Sequence, residues 1–207
     1  MGLRKPAPSA LHPVREREHA RDLPGLLEQL KNPDPSLRRW AARDLGAHAE
    51  AAAALGRALA GEREPSVREA LFTSLSTLAS ESAAEALMPL LRSEDAALRN
   101  GAIETLAGMP QAVAPSIERL LRDPDPDVRI FTVNLLGELR HSEVNRWLGQ
   151  VLAQESQVNV VAAAIEVLAE TGGAAERPGL LRVRERFADD PFIGFATELA
   201  LDRIEAP

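Results

Sequence analysis

Apolar residues recur along the chain at fixed places relative to an arginine that returns at a regular interval. Successive arginines are 30, 31 and 30 residues apart, at Arg38, Arg68, Arg99 and Arg129. The residue before each arginine and the residue seven after it are always apolar: Leu37, Val67, Leu98, Val128, Leu45, Leu75, Leu106 and Leu136. With 3.6 residues per turn, these positions share one face of a helix. The pattern therefore predicts a repeated helix with one buried face.

The turn before each of these helices is clearest in residues 123–129, Asp-Pro-Asp-Pro-Asp-Val-Arg, and in residues 32–38, Asn-Pro-Asp-Pro-Ser-Leu-Arg. Proline disfavours helical backbone for the residue before it, so the preceding helix ends here. The second proline suits the first turn of a new helix, where its missing N–H has no partner in any case. The residue before it becomes the N-cap, where a carboxylate accepts from free N–H groups. The predicted N-caps are Asp34, Glu64, Asp95 and Asp125.

The same unit of helix, tight turn and helix continues to the end of the chain, which predicts one all-α domain over residues 22–207. Its six helix pairs are predicted near residues 23–46, 48–78, 80–109, 111–139, 141–172 and 174–205. In the third and fourth repeats the first helix is predicted over residues 83–92 and 115–122. Residues 1–21 contain three prolines and no apolar period, so we predict a mobile N-terminal tail.

A second row of positions, one and five residues after the arginine, points away from the buried face and varies freely in chemistry. We predict that this row forms the exposed inner surface of the stack and binds a partner. It changes from basic in the first repeat to acidic later. The candidate residues are Arg39, Arg43, Glu69, Thr73, Asn100, Glu104, Ile130, Asn134 and Glu166.

Composition and charge restrict the classes of function. Apolar residues make up 45% of the chain but aromatic residues only 3%, so the core must be built from small aliphatic side chains. There is no cysteine, which excludes disulfides and thiolate metal sites. Up to Asp22 the chain holds five basic and three acidic side chains, so the remainder carries −9 of the total −7 and argues against a nucleic-acid partner. No apolar run approaches the ~20 residues of a membrane helix, and we predict a cytoplasmic protein without a membrane partner.

The repeated motif resembles a known family. Helix pairs of about 30 residues, opened by Asp-Pro-Asp-Pro-x-Val-Arg and containing Ala-Ile-Glu-x-Leu at residues 102–106 and 164–168, resemble the HEAT repeat. The short bacterial form, similar to that of the phycobilisome bilin lyases, matches best. The resemblance implies an all-α fold, an α-solenoid of about six HEAT-like helix pairs.

The resemblance also implies a ladder of acid and arginine side chains along successive repeats. The matching positions are Asp34, Arg38, Glu64, Arg68, Asp95, Arg99, Asp125 and Arg129. In the fifth repeat Gln157 and Val161 replace both charges together, as pairing predicts. We therefore predict that this ladder is structural and ends after the fourth repeat.

Catalytic motifs are missing from the sequence. It contains no nucleophile elbow, phosphate loop or dinucleotide motif. Two histidines and two glutamates in residues 12–19 give a loose metal site only as the less favoured interpretation, and His48 and His141 are interpreted as solvated loop residues. The HEAT-fold deoxyhypusine hydroxylases, which this architecture resembles, use His-Glu dipeptides as metal ligands, and this sequence has none. We predict no catalytic residue, no metal and no cofactor.

Two classes of function remain. The first is a non-catalytic interaction scaffold or adaptor that binds another protein on the inner row, in bacterial signalling or complex assembly. The second, implied by the resemblance, is a bilin lyase or a chaperone of chromophore attachment.

The last helix gives a separate prediction about self-association. Three of the five phenylalanines lie in the final repeat, at Phe187, Phe192 and Phe195. An acidic stripe of Glu198, Asp202 and Glu205 suits the solvent-facing cap of a solenoid. The remaining apolar arc is wider than one neighbouring helix covers: either the preceding helices share it and the protein is a monomer, which we favour, or part of it is a dimer contact.

Overall fold

The computed structural model describes residues 20–205, so the predicted tail over residues 1–21 lies outside the described residues except for its last two positions. Within the described range the chain is all-helical, as predicted. Its α-helices are α1 (Leu23–Gln29), α2 (Pro35–Leu45), α3 (Ala52–Gly61), α4 (Pro65–Leu78), α5 (Glu81–Leu87), α6 (Ala96–Ala107), α7 (Pro110–Leu120), α8 (Pro126–Glu138), α9 (Val144–Gln154), α10 (Val158–Thr171), α11 (Arg177–Arg186) and α12 (Pro191–Glu205). Two short 3₁₀ segments, Ala49–Ala51 and Met88–Arg92, precede α3 and follow α5.

The helices form two layers. Each even-numbered helix packs on the next even-numbered one, from α2 through α4, α6, α8 and α10 to α12. In the other layer α3 packs on α5, α5 on α7, and α9 on α11. Each repeat thus contacts its neighbours in the chain, which confirms the predicted solenoid of six helix pairs.

The core lies between the layers and is aliphatic. The position seven after the arginine is at most 1% exposed, at Leu45, Leu75, Leu106, Leu136 and, in the fifth repeat, Leu168. Each such leucine stabilises the fold by about 1.5–3 kcal/mol relative to an exposed one. The position before the arginine is buried at Val67, Leu98 and Val128 but half-buried at Leu37, because α1 and α2 have no preceding repeat among the described residues.

The four predicted N-caps are all N-cap residues in the structure. Asp34, Asp95 and Asp125 each accept a backbone N–H two residues ahead, at 2.8 to 3.0 Å. Glu64 makes no such bond, in keeping with its longer side chain.

Two of the predicted helix bounds are wrong, and a proline explains each difference. The first helix of the fourth repeat begins at Pro110, and Pro115 lies inside it, because Pro110 already occupies the first turn. In the third repeat α5 ends at Leu87 and continues as a 3₁₀ segment, because Pro89 cannot donate the next helical hydrogen bond. Within residues 20–205, no helix is both long and apolar enough to cross a membrane.

Candidate partner-binding surface

The turns that open the even-numbered helices share a side-chain-to-backbone hydrogen bond that the sequence analysis missed. The residue two before the N-cap accepts the N-cap N–H through its side chain at 2.8 to 3.2 Å, in five repeats: Asn32, Glu62, Ser93, Asp123 and Glu155. In the first four repeats the carbonyl of this residue accepts from the arginine six positions later at 2.7 to 2.9 Å. The arginine is therefore conformationally tied to its own turn. The missed signal was a hydrogen-bonding side chain at this position in every one of these turns.

The first rung of the ladder pairs Arg38 with Glu62 rather than with Asp34 or Glu64. Both Nε and Nη2 of Arg38 donate to the Glu62 carboxylate, at 2.7 and 2.9 Å. The Glu62 side chain is only 9% exposed. The hydrogen bonds from Arg38, helped by the backbone N–H groups of Arg63 and Glu64, lower the pKa of Glu62 to about 2. This is a bidentate, charge-assisted pair that joins two repeats.

Two further rungs also run forward to the next repeat. Arg68 pairs with Asp95 at 2.8 Å, and this bond lowers the pKa of the Asp95 carboxyl. Arg129 pairs with Glu155 at 2.7 Å, with side chains 13% and 10% exposed. Burial favours the neutral form of Glu155, but Arg129 and two backbone N–H groups outweigh it and lower its pKa.

Arg99 departs from the expected pairing. Among the described residues it makes no ion pair; its guanidinium lies 4.4 Å above the Phe131 ring and donates to Ser93 O. The carboxylates ahead of it, Asp123 and Asp125, pair with Arg92 instead. Loss of Arg99 would therefore leave neither of these two acids without a partner.

The ladder does not end as sharply as predicted. Val161, in the arginine position of the fifth repeat, is fully buried, so the arginine series stops at Arg129. Its carboxylate partner Glu155 nevertheless belongs to the fifth repeat. The uncharged Gln157 did not indicate this pairing, because the carboxylate that binds Arg129 belongs to Glu155, two positions earlier.

The nine predicted partner-binding residues lie on α2, α4, α6, α8 and α10, and we call this surface the even-helix face. Seven of the nine side chains are exposed, whereas Arg39 and Ile130 are half-buried. Within residues 20–205, three of the open grooves between these helices are lined by seven of the nine residues. Arg43 and Thr73 line the first, between α2 and α4.

The second and third grooves lie further along the face. Thr73 also lines the second, between α4 and α6, together with Glu69 and Glu104. Ile130, Asn134 and Glu166 line the third, between α8, α10 and α12. Arg39 and Asn100 do not line any of these three grooves.

The charged members of the even-helix face differ from most of the ladder arginines in their ion pairing within the described range. Arg39, Arg43, Glu69, Glu104 and Glu166 form no ion pair with another described residue. Arg39 differs in one respect, since its Nε is buried and has no hydrogen-bond partner within residues 20–205. In the turns, by contrast, each of the four ladder arginines donates a hydrogen bond to a backbone carbonyl of its own turn.

The neighbouring helices cover less of the apolar arc of α12 than the monomer interpretation assumed. Packing on α10 and α11 buries Ile193, Thr197 and Ala200. The side chains of Phe192, Phe195 and Leu199 remain 59%, 66% and 43% exposed. The preceding helices therefore share only part of the arc, and three large apolar side chains face solvent in the third groove.

The histidine interpretation needs one correction, and no metal site is found in the described part of the chain. His141 is not simply solvated: its ring stacks on Trp147 with centroids 5.1 Å apart, and its Nδ1 accepts from Glu143 N. Residues 20–205 contain no group of three His, Asp or Glu side chains that could hold a metal ion. The loose site considered in residues 12–19 lies outside the described residues.

Comparison with known families identifies the chain. Its sequence matches the family of HEAT repeats over residues 23–107 and 113–193, which is most of its length. The chain therefore belongs to the HEAT-repeat family, as the repeated motif predicted.

Solved structures of the same kind resemble it only distantly. An archaeal HEAT-like repeats protein from Thermococcus onnurineus NA1 is 19% identical, with 87% of this chain and 85% of that chain covered and a TM-score of 0.44. A computationally designed armadillo repeat protein for modular peptide recognition is 18% identical, with 89% and 100% covered and a TM-score of 0.44. The complex of CpcE and CpcF of phycocyanin lyase from Nostoc sp. PCC7120 is 18% identical, with 96% and 100% covered and a TM-score of 0.31. Comparison with curated proteins gives no match.

Proposed function

We propose that this protein is a non-catalytic, cytoplasmic interaction scaffold that binds a partner protein across the even-helix face, in signalling or complex assembly. The observation that carries the proposal is the contrast in charge pairing. The ladder arginines are tied to turns and neighbouring repeats, whereas the charged side chains of the even-helix face form no ion pair with a described residue. Unpaired charges on a rigid surface are available to a partner at little cost in conformational entropy.

The grooves between the even-numbered helices support the same function. They place polar side chains of differing chemistry along the face, so that a bound segment would meet Arg43 at one end and Glu166 at the other. A partner segment would accordingly have one orientation, with its acidic part near α2. Electrostatic complementarity of this kind sets specificity and register more than raw affinity.

The test is a charge reversal with a matched control. We expect Arg39→Glu with Arg43→Glu to weaken capture of the partner at least about tenfold. Arg57→Glu with Arg63→Glu makes the same change in net charge at exposed residues outside the face and leaves capture unchanged. The partner is first identified by cross-linking and pull-down with the parent chain, and its affinity for each variant is then measured. Equal affinity of both double variants would place the binding surface elsewhere.

The alternative hypothesis, a bilin lyase or chromophore-attachment chaperone, has its own test. Absorbance after co-expression with a bilin and an acceptor phycobiliprotein reports attachment directly. A coloured adduct that depends on this chain would replace the scaffold proposal.

A further inference from the structure

The apolar stripe of α12 is the largest exposed apolar feature of the described residues. Phe192, Phe195 and Leu199 follow one another at spacings of three and four, so they lie on one face of the helix. They are also the only large apolar side chains within residues 20–205 that are classed as exposed. A chain with 3% aromatic residues thus exposes two of its five phenylalanines side by side. Clustered exposure of this kind marks an interaction site rather than ordinary surface.

The stripe lines the third groove, between α8, α10 and α12, whose lining residues are mostly apolar. Ala162 and Ala163 of α10 and Ile130 of α8 line it together with Asn134 and Asn159. The small alanines leave an open volume of about 610 Å³. We call this site the apolar groove. Its volume and the spacing of Phe192, Phe195 and Leu199 suit large side chains that enter from a partner helix at positions i, i+3, i+4 and i+7.

The rim of the apolar groove is acidic. Two acidic side chains and one basic side chain line it, all of them exposed: Glu166, Glu170 and Arg203. Two further exposed acids of α12, Glu198 and Asp202, stand three residues after Phe195 and Leu199 and so lie beside them on the helix surface, and we count these five charged residues as the rim. None of the five makes a hydrogen bond or ion pair through its side chain within the described part of the chain. The rim therefore presents a net charge of −3 beside a surface that must lose water when it binds. A basic partner is attracted to such a site, and an acidic one is repelled.

We propose that the apolar groove binds an amphipathic helix of a partner protein, whose large apolar side chains are flanked by lysine or arginine. This inference rests on the proposed scaffold function and names the chemistry of the partner at the C-terminal end of the even-helix face. A second copy of this chain fits less well, because a two-fold contact through α12 would bring two acidic rims together.

The test uses two fluorescein-labelled synthetic peptides of about 15 residues, the length of α12. Both carry leucines at spacings of three and four, and the flanking positions hold lysine in one peptide and glutamate in the other. We expect the lysine peptide to bind the full chain at least about tenfold more tightly by fluorescence anisotropy.

Variants then locate the binding. Phe195→Ser with Leu199→Ser changes only exposed side chains, and it should abolish binding while circular dichroism shows an unchanged melting temperature. Glu166→Lys with Glu170→Lys should reverse the preference, so that the glutamate peptide binds more tightly. The matched control is Glu81→Lys with Glu85→Lys, two exposed acids at the same spacing on α5, which should leave both affinities unchanged.

Each remaining outcome overturns the inference. These outcomes are equal affinity for the two peptides, no binding of the lysine peptide, or binding that survives Phe195→Ser with Leu199→Ser. A mass of twice 22.3 kDa in light scattering that Phe195→Ser with Leu199→Ser returns to the monomer would make a second copy the occupant. If partner capture still depends on Arg39 and Arg43 in any of these cases, the scaffold function stands and only the apolar groove is reassigned.

Discussion

The turns that open the even-numbered helices and the face that those helices present to solvent use charge in opposite ways. In the turns, Arg38, Arg68 and Arg129 each hold a carboxylate of the next repeat at 2.7 to 2.8 Å. On the even-helix face, charges such as Glu69 and Glu104 pair with no other described residue. The comparison teaches that the same helices carry two separate sets of polar residues: one joins repeats, and the other forms no ion pair within the described residues and is the one we propose for a partner.

The separation between ladder and even-helix face can be tested, because removing a charge from one set should lower the free energy of unfolding more than removing a charge from the other. Removing one partner of a poorly exposed ion pair leaves the other charge without compensation in a dry site. Removing an exposed charge that has no partner changes little. Free energies of unfolding by urea denaturation measure both effects on one scale.

The largest effect is expected at the most enclosed rung. Arg129→Ala leaves Glu155, which is 10% exposed on its side chain, without its arginine. We expect the free energy of unfolding to fall by about 3 kcal/mol. The control is Arg122→Ala, because Arg122 is 65% exposed in its pair with Glu118 and should cost less than about 1 kcal/mol. Equal costs for the two variants would remove the distinction between the ladder and ordinary surface pairs.

The second-largest effect is expected when acid breaks the ion pair between Arg38 and Glu62. The pKa of Glu62 is lowered from 4.5 to about 2 by Arg38. A carboxyl with a depressed pKa in the folded state stabilises the protein above its unfolded pKa, and this contribution is lost as the pH falls from about 4.5 to about 2. We expect about 2 kcal/mol to be lost over that window, less than the full shift implies because solvent screens part of the pair.

The contribution of Glu62 is isolated by comparing the parent with Glu62→Gln between pH 6 and pH 2. The variant keeps the size of the side chain but has no carboxyl to titrate. Its free energy of unfolding should therefore fall less steeply with acid by about 2 kcal/mol. Parallel curves for the two proteins would show that Arg38 does not stabilise the ionised carboxyl.

Arg99 should have a smaller effect than Arg129 despite its identical place in the repeat. Its loss removes a hydrogen bond to Ser93 O and a cation–π contact with Phe131, but leaves no acid without a partner because Arg92 holds Asp123. We expect Arg99→Ala to cost about 1–2 kcal/mol. Arg99→Lys tests the contact, since lysine keeps the charge but not the planar group over the ring. A cost for Arg99→Ala equal to that of Arg129→Ala would mean that Asp123 or Asp125 depends on it.

The contrast between Arg99 and Arg129 shows which features the sequence could predict and which it could not. Fold, repeat number and N-caps follow from short-range periodicity and from proline and aspartate chemistry within a few residues, and these predictions hold. Which carboxylate meets which arginine depends on the reach of a side chain across two repeats. Glu62 and Glu155 reach the preceding arginine from two positions before the N-cap, whereas Asp123 at the same position pairs with Arg92. In the remaining repeat, where Ser93 stands at that position, the N-cap residue Asp95 pairs with Arg68 instead. No local pattern encodes that choice.

The candidate site shows the same limit. The helical period predicted which residues of the even-numbered helices face solvent, and seven of the nine are exposed. It also indicated that the apolar arc of α12 was wide. It could not tell which part of that arc the neighbours leave open, because this depends on the packing of α10 and α11 against it. The exposure of Phe195 is therefore a property of the assembled repeats and not of its own helix.

The smallest effect is expected on the even-helix face itself. Glu69→Lys with Glu104→Lys reverses two exposed charges in the groove between α4 and α6, where neither has an ion-pair partner among the described residues. We expect the free energy of unfolding to stay within about 0.5 kcal/mol of the parent value, because no packed or paired group is disturbed. Glu62→Gln, which removes a paired acid of the ladder, is the matched comparison and should cost clearly more at pH 7. If the double reversal destabilised the protein as much as Glu62→Gln, the face would be part of the structural charge network, and the division between residues that join repeats and residues left for a partner would fail.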